Sequence, residues 1–159
     1  FYVFKKIMEA GVTDAVSGHV DLMIPIEKIW GYLERDKAFF EEVKKPCLVH
    51  WDCWDGNIFV KDGKVTGIID WERCLWADPL LEVNFRVHGD NMWFRKGYGK
   101  EQLTKKEYRR ALWYDIYQMI LGASECEYRK YDTMDMYQWS TGILKQQFGL
   151  LEHLIENTI

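Results

Sequence analysis

The spacing of apolar positions changes along this chain, and each spacing predicts a different element. Residues 1–10 (Phe-Tyr-Val-Phe-Lys-Lys-Ile-Met-Glu-Ala) read as a short helix closed by Gly11, because glycine ends helices without a Cβ penalty. Residues 11–24 carry Gly, Asp, Ser and His and read as a loop. From about Pro25 to Lys45 the pattern predicts a firmer helix. Pro25 suits a first helical position, and Ile26, Ile29, Trp30, Leu33, Phe40 and Val43 fall largely on one face. Lys44 and Lys45 suit the negative end of that helix dipole, and Pro46 stops it.

The period then shortens. Cys47 to His50 is a brief apolar run, and Asn57–Val60 and Val65–Ile69 read as strands joined through Lys61-Asp62-Gly63-Lys64. Asp-Gly between two β-branched runs predicts a hairpin, because glycine accepts positive φ. Antiparallel pairing then draws Asn57 and Asp70 to the same end, with opposed residues about 4.5–5.5 Å apart. After Asp78-Pro79 the period lengthens again. Thr104-Lys105-Lys106-Glu107 has the form of a capping box, followed by Tyr108, Leu112, Ile116, Met119, Ile120 and Ala123 at helical spacing. A last helix is predicted from about Thr133 to Glu156. The expectation is a mostly helical α+β chain with one small β element.

Composition narrows this picture. The chain has 159 residues, which suits one domain, and its eight Trp, nine Tyr and eight Phe exclude a disordered chain. A net charge of −4 with no concentrated basic patch argues against a nucleic-acid partner. The four cysteines form no Cys-x-x-Cys pair, so a structural zinc site is not expected, and they read as reduced thiols. No signal peptide and no bilayer-length apolar run are present, so the expectation is a cytoplasmic protein without a membrane partner. Nothing in the pattern fixes an oligomeric state. The chain opens at Phe1 in mid-pattern and without methionine, which reads as a piece of a longer protein.

The chemistry gathers in His50-Trp51-Asp52-Cys53-Trp54-Asp55-Gly56-Asn57 and, thirteen residues after Asn57, Asp70. Asp52 suits the orientation or deprotonation of a hydroxyl. An ordinary aspartate is a weak base, which suffices for phosphoryl transfer because the loose transition state demands positioning above base strength. The amide oxygen of Asn57 and the carboxylate of Asp70 are hard oxygen donors of the kind Mg2+ takes, with phosphate oxygens completing the set. Taken singly, each is an ordinary turn or cap residue. Together, with a hairpin between them, they point to a site.

His50-x-Asp52-x-x-x-x-Asn57, then Ile68-Ile69-Asp70-Trp71-Glu72, then Asp78-Pro79, resembles the C-terminal lobe of aminoglycoside phosphotransferases and their relatives, which include choline and fructosamine kinases. The resemblance is sharp over residues 46–82 and architectural elsewhere. It implies that residues 1–159 are the C-terminal lobe of a protein-kinase-like fold, its hairpin carrying the catalytic and metal residues. It implies transfer of the γ-phosphate of ATP, with Mg2+, to a hydroxyl of a small molecule. Asp52 then looks like the catalytic aspartate that engages the acceptor hydroxyl, Asn57 and Asp70 the metal and nucleotide ligands, His50 a packing and hydrogen-bonding support, and Asp78 a structural acid. Glu72 matches a frequent acid of the family, or pairs with Arg73 or Lys64.

Two positions depart from the family pattern. Trp51 stands where Gly is common, with bulk that would narrow the acceptor site, and Asp55 where Pro is common. No Gly-x-Gly-x-x-Gly is present, Gly97-Tyr98-Gly99 is too short to count, and Lys5 and Lys6 lie in a predicted helix and not on the strand that would carry a phosphate-binding lysine. The N-terminal nucleotide-binding lobe is therefore expected to be missing from this chain, and the chain alone is expected to be inactive.

The acceptor is not legible. Residues 86–159 carry ten acids and eleven bases, which gives no preference for a polycation. Trp93, Phe94, Trp113, Tyr114, Tyr117, Tyr128, Tyr131 and Trp139 suit helix packing better than a cage for a quaternary amine. The competing expectations are a non-catalytic kinase-like binding or scaffold module, a metal-dependent phosphohydrolase using the same acids, and a helical interaction domain whose acids are turn residues.

Overall fold

The computed structural model describes residues 1–82 and 91–157. The described residues of the chain are mostly helical, with two small antiparallel sheets. Its helices are α1 (Tyr2–Ser17), α2 (Ile26–Arg35), α3 (Lys37–Phe40), α4 (Met92–Tyr98), α5 (Lys105–Arg129) and α6 (Asp135–Glu156). Its strands are β1 (Cys47–Val49), β2 (Ile58–Lys61), β3 (Lys64–Ile68) and β4 (Leu75–Ala77). Two compact units divide the chain: residues 1–42 with 112–159, and residues 43–111.

The first unit is helical. Phe4 stacks on Phe40 with centroids 5.0 Å apart and meets Tyr114 edge-on at 5.1 Å. Met8, Ile29, Leu33, Ile116, Ile120, Leu144 and Leu151 are fully buried. Two predicted boundaries are corrected here. The first helix does not close at Gly11 but runs through it to Ser17, taking half of the expected loop. Gly11 is buried, and a Cβ there would stand 3.3 Å from Leu121 and 3.4 Å from Tyr117. It is a point of close approach, not a cap. The predicted helix from Pro25 to Lys45 breaks at Asp36. That carboxylate is buried and accepts a hydrogen bond from the Trp113 indole at 2.8 Å, and the short α3 ends at Phe40. Lys44, Lys45 and Pro46 therefore lie outside any helix.

The second unit holds both sheets. β2 and β3 form the predicted hairpin, with Asp62 at φ 50° and Gly63 at φ 72°, the mirror-image turn geometry such hairpins favour. β1 pairs with β4, a strand the sequence did not announce, because Leu-Trp-Ala is too short to carry a period. The capping box is formed as predicted. Thr104 N–H donates to Glu107 Oε2 at 2.9 Å, and Glu107 N–H donates to Thr104 Oγ1 at 3.2 Å. The last helix begins at Asp135 and ends at Glu156. The helical reading after Asp78-Pro79 holds for α4 and α5, while residues 83–90 lie outside the described residues.

Candidate active site

The predicted site residues all lie in the second unit, on the loop between β1 and β2 and at the end of β3. β1 delivers the chain to His50. The backbone N–H groups of His50 and Trp51 both donate to Glu82 Oε2, at 3.1 Å each, so one buried carboxylate clamps the start of the loop. Asp52 N–H donates to His50 Nδ1 at 3.2 Å. With Nδ1 accepting, Nε2 carries the ring hydrogen and donates to the Ile69 carbonyl at 2.8 Å. His50 also packs edge-on against Trp71 with centroids 4.5 Å apart. It is the buried strut between the loop and the end of β3.

Asp52 and Asn57 are in direct contact. Asn57 Nδ2 donates to the Asp52 carbonyl at 2.9 Å and to its Oδ2 at 3.3 Å. Because the amide nitrogen faces two oxygens, the amide oxygen must face away, and it accepts no hydrogen bond among the described residues. The loop closes through a single 3-10 turn at Asp55–Asn57, where Asn57 N–H donates to the Trp54 carbonyl at 2.9 Å. The hairpin register pairs Ile58 with Ile68, and Ile69 N–H donates to the Asn57 carbonyl at 3.0 Å. Asp70 therefore follows the residue that faces Asn57, as the predicted pairing requires. Its backbone is left-handed, at φ 63° and ψ 55°. Its exposed carboxylate makes no hydrogen bond or ion pair among the described residues, and no direct bond ties it to Asp52 or Asn57.

The remaining predicted residues sort themselves by contact. Glu72 is exposed and pairs with Arg73 at 3.9 Å. Asp55 is exposed. Trp51 lies at φ 69° with its indole buried. Asp78 accepts from Arg110 Nε at 2.8 Å and from Leu80 N–H at 3.1 Å, so it holds a buried ion pair and a turn. Burial, with the Glu82 and Asp52 carboxylates nearby, pushes the Cys53 thiol above its ordinary range and keeps it from acting as a thiolate. Glu82 and Arg110 are positioning groups that sequence reasoning missed. The available signal was an acid inside the apolar run Leu80-Leu81-Glu82-Val83, where an unpaired charge is unaffordable.

Among the described residues no three His, Cys, Asp or Glu side chains converge as a metal cluster. Among the described residues the Asn57 amide oxygen and the Asp70 carboxylate accept no hydrogen bond, and two such ligands leave coordination positions for other oxygens.

Comparison with known proteins decides the family. The model of the phosphotransferase enzyme family matches residues 12–113, well over half of the chain. The chain belongs to that family. Its curated relatives include an aminoglycoside 3'-phosphotransferase of Enterococcus faecalis, 36% identical over 78 residues, and one of Staphylococcus aureus, 35% identical over 78 residues. Each alignment covers 49% of this chain, and it covers 26% and 27% of the respective relatives, so the chain matches about a quarter of their length. No solved structure matches. The family match spans the loop from His50 to Asn57, the hairpin and Asp70, and ends beyond the Asp78–Arg110 ion pair.

Proposed function

We propose that the full-length protein carrying this chain transfers the γ-phosphoryl group of ATP to a hydroxyl of a small molecule. The observation that carries this reading is the Asp52–Asn57 pair, with the Asp70 carboxylate left free at the adjoining end of the hairpin. Family membership and the aminoglycoside 3'-phosphotransferase relatives support it and favour an amino sugar as the first acceptor to try.

Asp52 receives the acceptor hydroxyl. Asn57 holds the Asp52 carboxylate in one orientation, so the acceptor oxygen is presented in line with the phosphorus. As the oxygen–phosphorus bond forms, the bond from that phosphorus to the bridging oxygen of ADP breaks, ADP leaves with the electron pair, and the hydroxyl proton passes to Asp52. The Asn57 amide oxygen and the Asp70 carboxylate fit Mg2+, since both are hard oxygens without a protein partner among the described residues. When bound, the ion supplies charge neutralisation for the phosphates. His50 transfers no proton in this scheme and keeps the Ile69–Asp70 peptide against the loop.

Asp52→Ala in the full-length protein should lower turnover by on the order of a hundredfold or more, with ATP affinity little changed. Coupled ADP release with an aminoglycoside acceptor, and ATP titration calorimetry, read the two quantities. Turnover like that of the wild type excludes the assigned role. Phosphate release without any acceptor, at the rate seen with one, favours hydrolysis. ATP binding without transfer to any acceptor favours a scaffold.

A further inference from the structure

Gly97-Tyr98-Gly99 is too short for a phosphate loop, and the transfer step leaves its tyrosine without a part. Tyr98 is the last residue of α4, and Gly99 follows at φ 72°, the left-handed stop that glycine adopts without strain. The half-buried phenol ring stacks on Phe94, one helical turn earlier, with centroids 5.6 Å apart and planes 17° from parallel. Its hydroxyl donates to the Pro79 carbonyl at 3.1 Å, nineteen residues back along the chain. That carbonyl also accepts the Glu82 N–H at 3.2 Å, the bond that closes the 3-10 turn Pro79–Leu81. A carbonyl oxygen has two lone pairs and serves both donors. So short a turn has poor hydrogen-bond geometry of its own and takes its position from what holds it. The Asp78–Arg110 ion pair fixes its start, and Tyr98 fixes the carbonyl on which it closes.

What the turn carries is the Glu82 clamp. Glu82 Oε2 accepts the N–H groups of His50 and Trp51, and Asp52 N–H donates to His50 Nδ1. Direct hydrogen bonds therefore lead from the Tyr98 hydroxyl, through Pro79 and Glu82, to the backbone that aims Asp52. The strand that enters the same loop is tied in as well. The Cys47 side chain, at the start of β1, hydrogen-bonds to the Tyr98 phenol, and β1 runs into His50. Burial first, and then the nearby Cys47, Glu82 and Asp78, push the phenol well above its ordinary range, so it keeps its proton and goes on donating. We propose that Tyr98 is a positioning residue of the transfer step, holding the Pro79 carbonyl and through Glu82 the loop that presents Asp52. It touches neither the phosphates nor the acceptor in this scheme and acts only on how Asp52 is aimed. The inference rests on the proposed transfer function and adds to it a residue of α4, outside both the loop and the hairpin.

The test uses Tyr98→Phe in the full-length protein. This change keeps the ring and its stack and removes only the hydroxyl, and the Pro79 carbonyl retains the Glu82 N–H, so the fold is kept. Two quantities are read: steady-state kcat and KM with kanamycin and ATP, and amide hydrogen exchange of residues 47–57, which needs no turnover. Tyr98→Phe should lower kcat about three- to tenfold with both KM values unchanged, and should speed exchange in the loop by a similar factor. Because Tyr98 works through Glu82, the effects should not add. In a Glu82→Ala background the tyrosine change should cost little more, and in Glu82→Gln, which keeps an acceptor, its cost should return. Thr104→Ala, a loss of stability elsewhere in the same unit, should leave kcat and loop exchange as in the wild type. Unchanged kcat in Tyr98→Phe, a rise in either KM in its place, full additivity with Glu82→Ala, or an equal loss in Thr104→Ala overturns the proposal. Should the wild type transfer phosphate to no acceptor, the transfer reading fails, and loop exchange decides alone: faster exchange in Tyr98→Phe keeps the tyrosine as the prop of the loop, and unchanged exchange removes it.

Discussion

Glu82 shows how much of this site depends on a residue with no catalytic part to play. Its carboxylate is buried and accepts two backbone N–H groups, those of His50 and Trp51. Between them the chain must turn into the left-handed region at Trp51, φ 69°, a conformation that costs a non-glycine residue about 1–2 kcal/mol. Burial of a large apolar side chain contributes about 1.5–3 kcal/mol, so the indole offsets the strain that glycine would avoid. Glu82→Ala removes both acceptor contacts at once, at a cost on the order of 1–3 kcal/mol for each N–H left buried. Because the loop that orients Asp52 is then unclamped, turnover should fall by on the order of tenfold to a hundredfold, with substrate KM values little changed. Glu82→Gln, which keeps an acceptor oxygen, should recover part of the loss; steady-state kinetics on the three proteins decide it. A purely structural role would lower the yield of folded protein without this split between turnover and KM. Asp52, Asn57 and Asp70 stand out as candidates in the sequence because their chemistry and their spacing are both local. Glu82 was not, since its partners lie thirty-one and thirty-two residues away.

At the scale of elements, the features legible in sequence are those written within a few residues. The Asp62-Gly63 hairpin and the Thr104–Glu107 capping box are of this kind, and both are formed. Where long-range contacts decide, the pattern misleads. A glycine reads as a stop until Leu121 and Tyr117 are known to press against it. An apolar stripe reads as one helix until Trp113 is known to bind Asp36 at its middle. The capping box carries a direct test. Thr104→Ala should cost about 1 kcal/mol of stability in a urea titration. Glu107 has a further pH dependence. Burial opposes its ionisation, but hydrogen bonds from Lys100 and from Thr104 outweigh this and hold its pKa below the ordinary carboxylate value. A carboxyl lowered on folding stabilises the fold above its unfolded pKa and stops doing so as pH falls through the folded one. The stability difference between wild type and Glu107→Gln should therefore be largest near neutrality and shrink in acid.

For the whole molecule, the first unit is assembled from both ends of the sequence, residues 1–42 and 112–159, with the site-bearing unit inserted between them in the chain. Nothing local in the sequence announces that arrangement, because apolar periodicity marks which face is buried and not what buries it. Closing so long a loop is entropically modest, since the cost grows only with the logarithm of its length. A small number of specific long-range contacts can therefore fix the pairing. The hydrogen bond from the Trp113 indole to Asp36 is the best placed of them. It spans seventy-seven residues, both partners are buried, and its acceptor is a carboxylate. Hydrogen bonds to charged groups contribute about 1.5–3 kcal/mol, against about 1 kcal/mol for neutral ones. Trp113→Phe keeps an aromatic ring but removes the donor, so the unfolding free energy should fall by about 2–4 kcal/mol once the lost ring volume is included. Asp36→Asn keeps an acceptor oxygen for the indole and should cost less than the tryptophan change. Urea denaturation followed by far-ultraviolet circular dichroism reads the helical unit directly. Equal stability of wild type and Trp113→Phe would mean that apolar packing alone joins the two ends, and that the buried acid is merely tolerated.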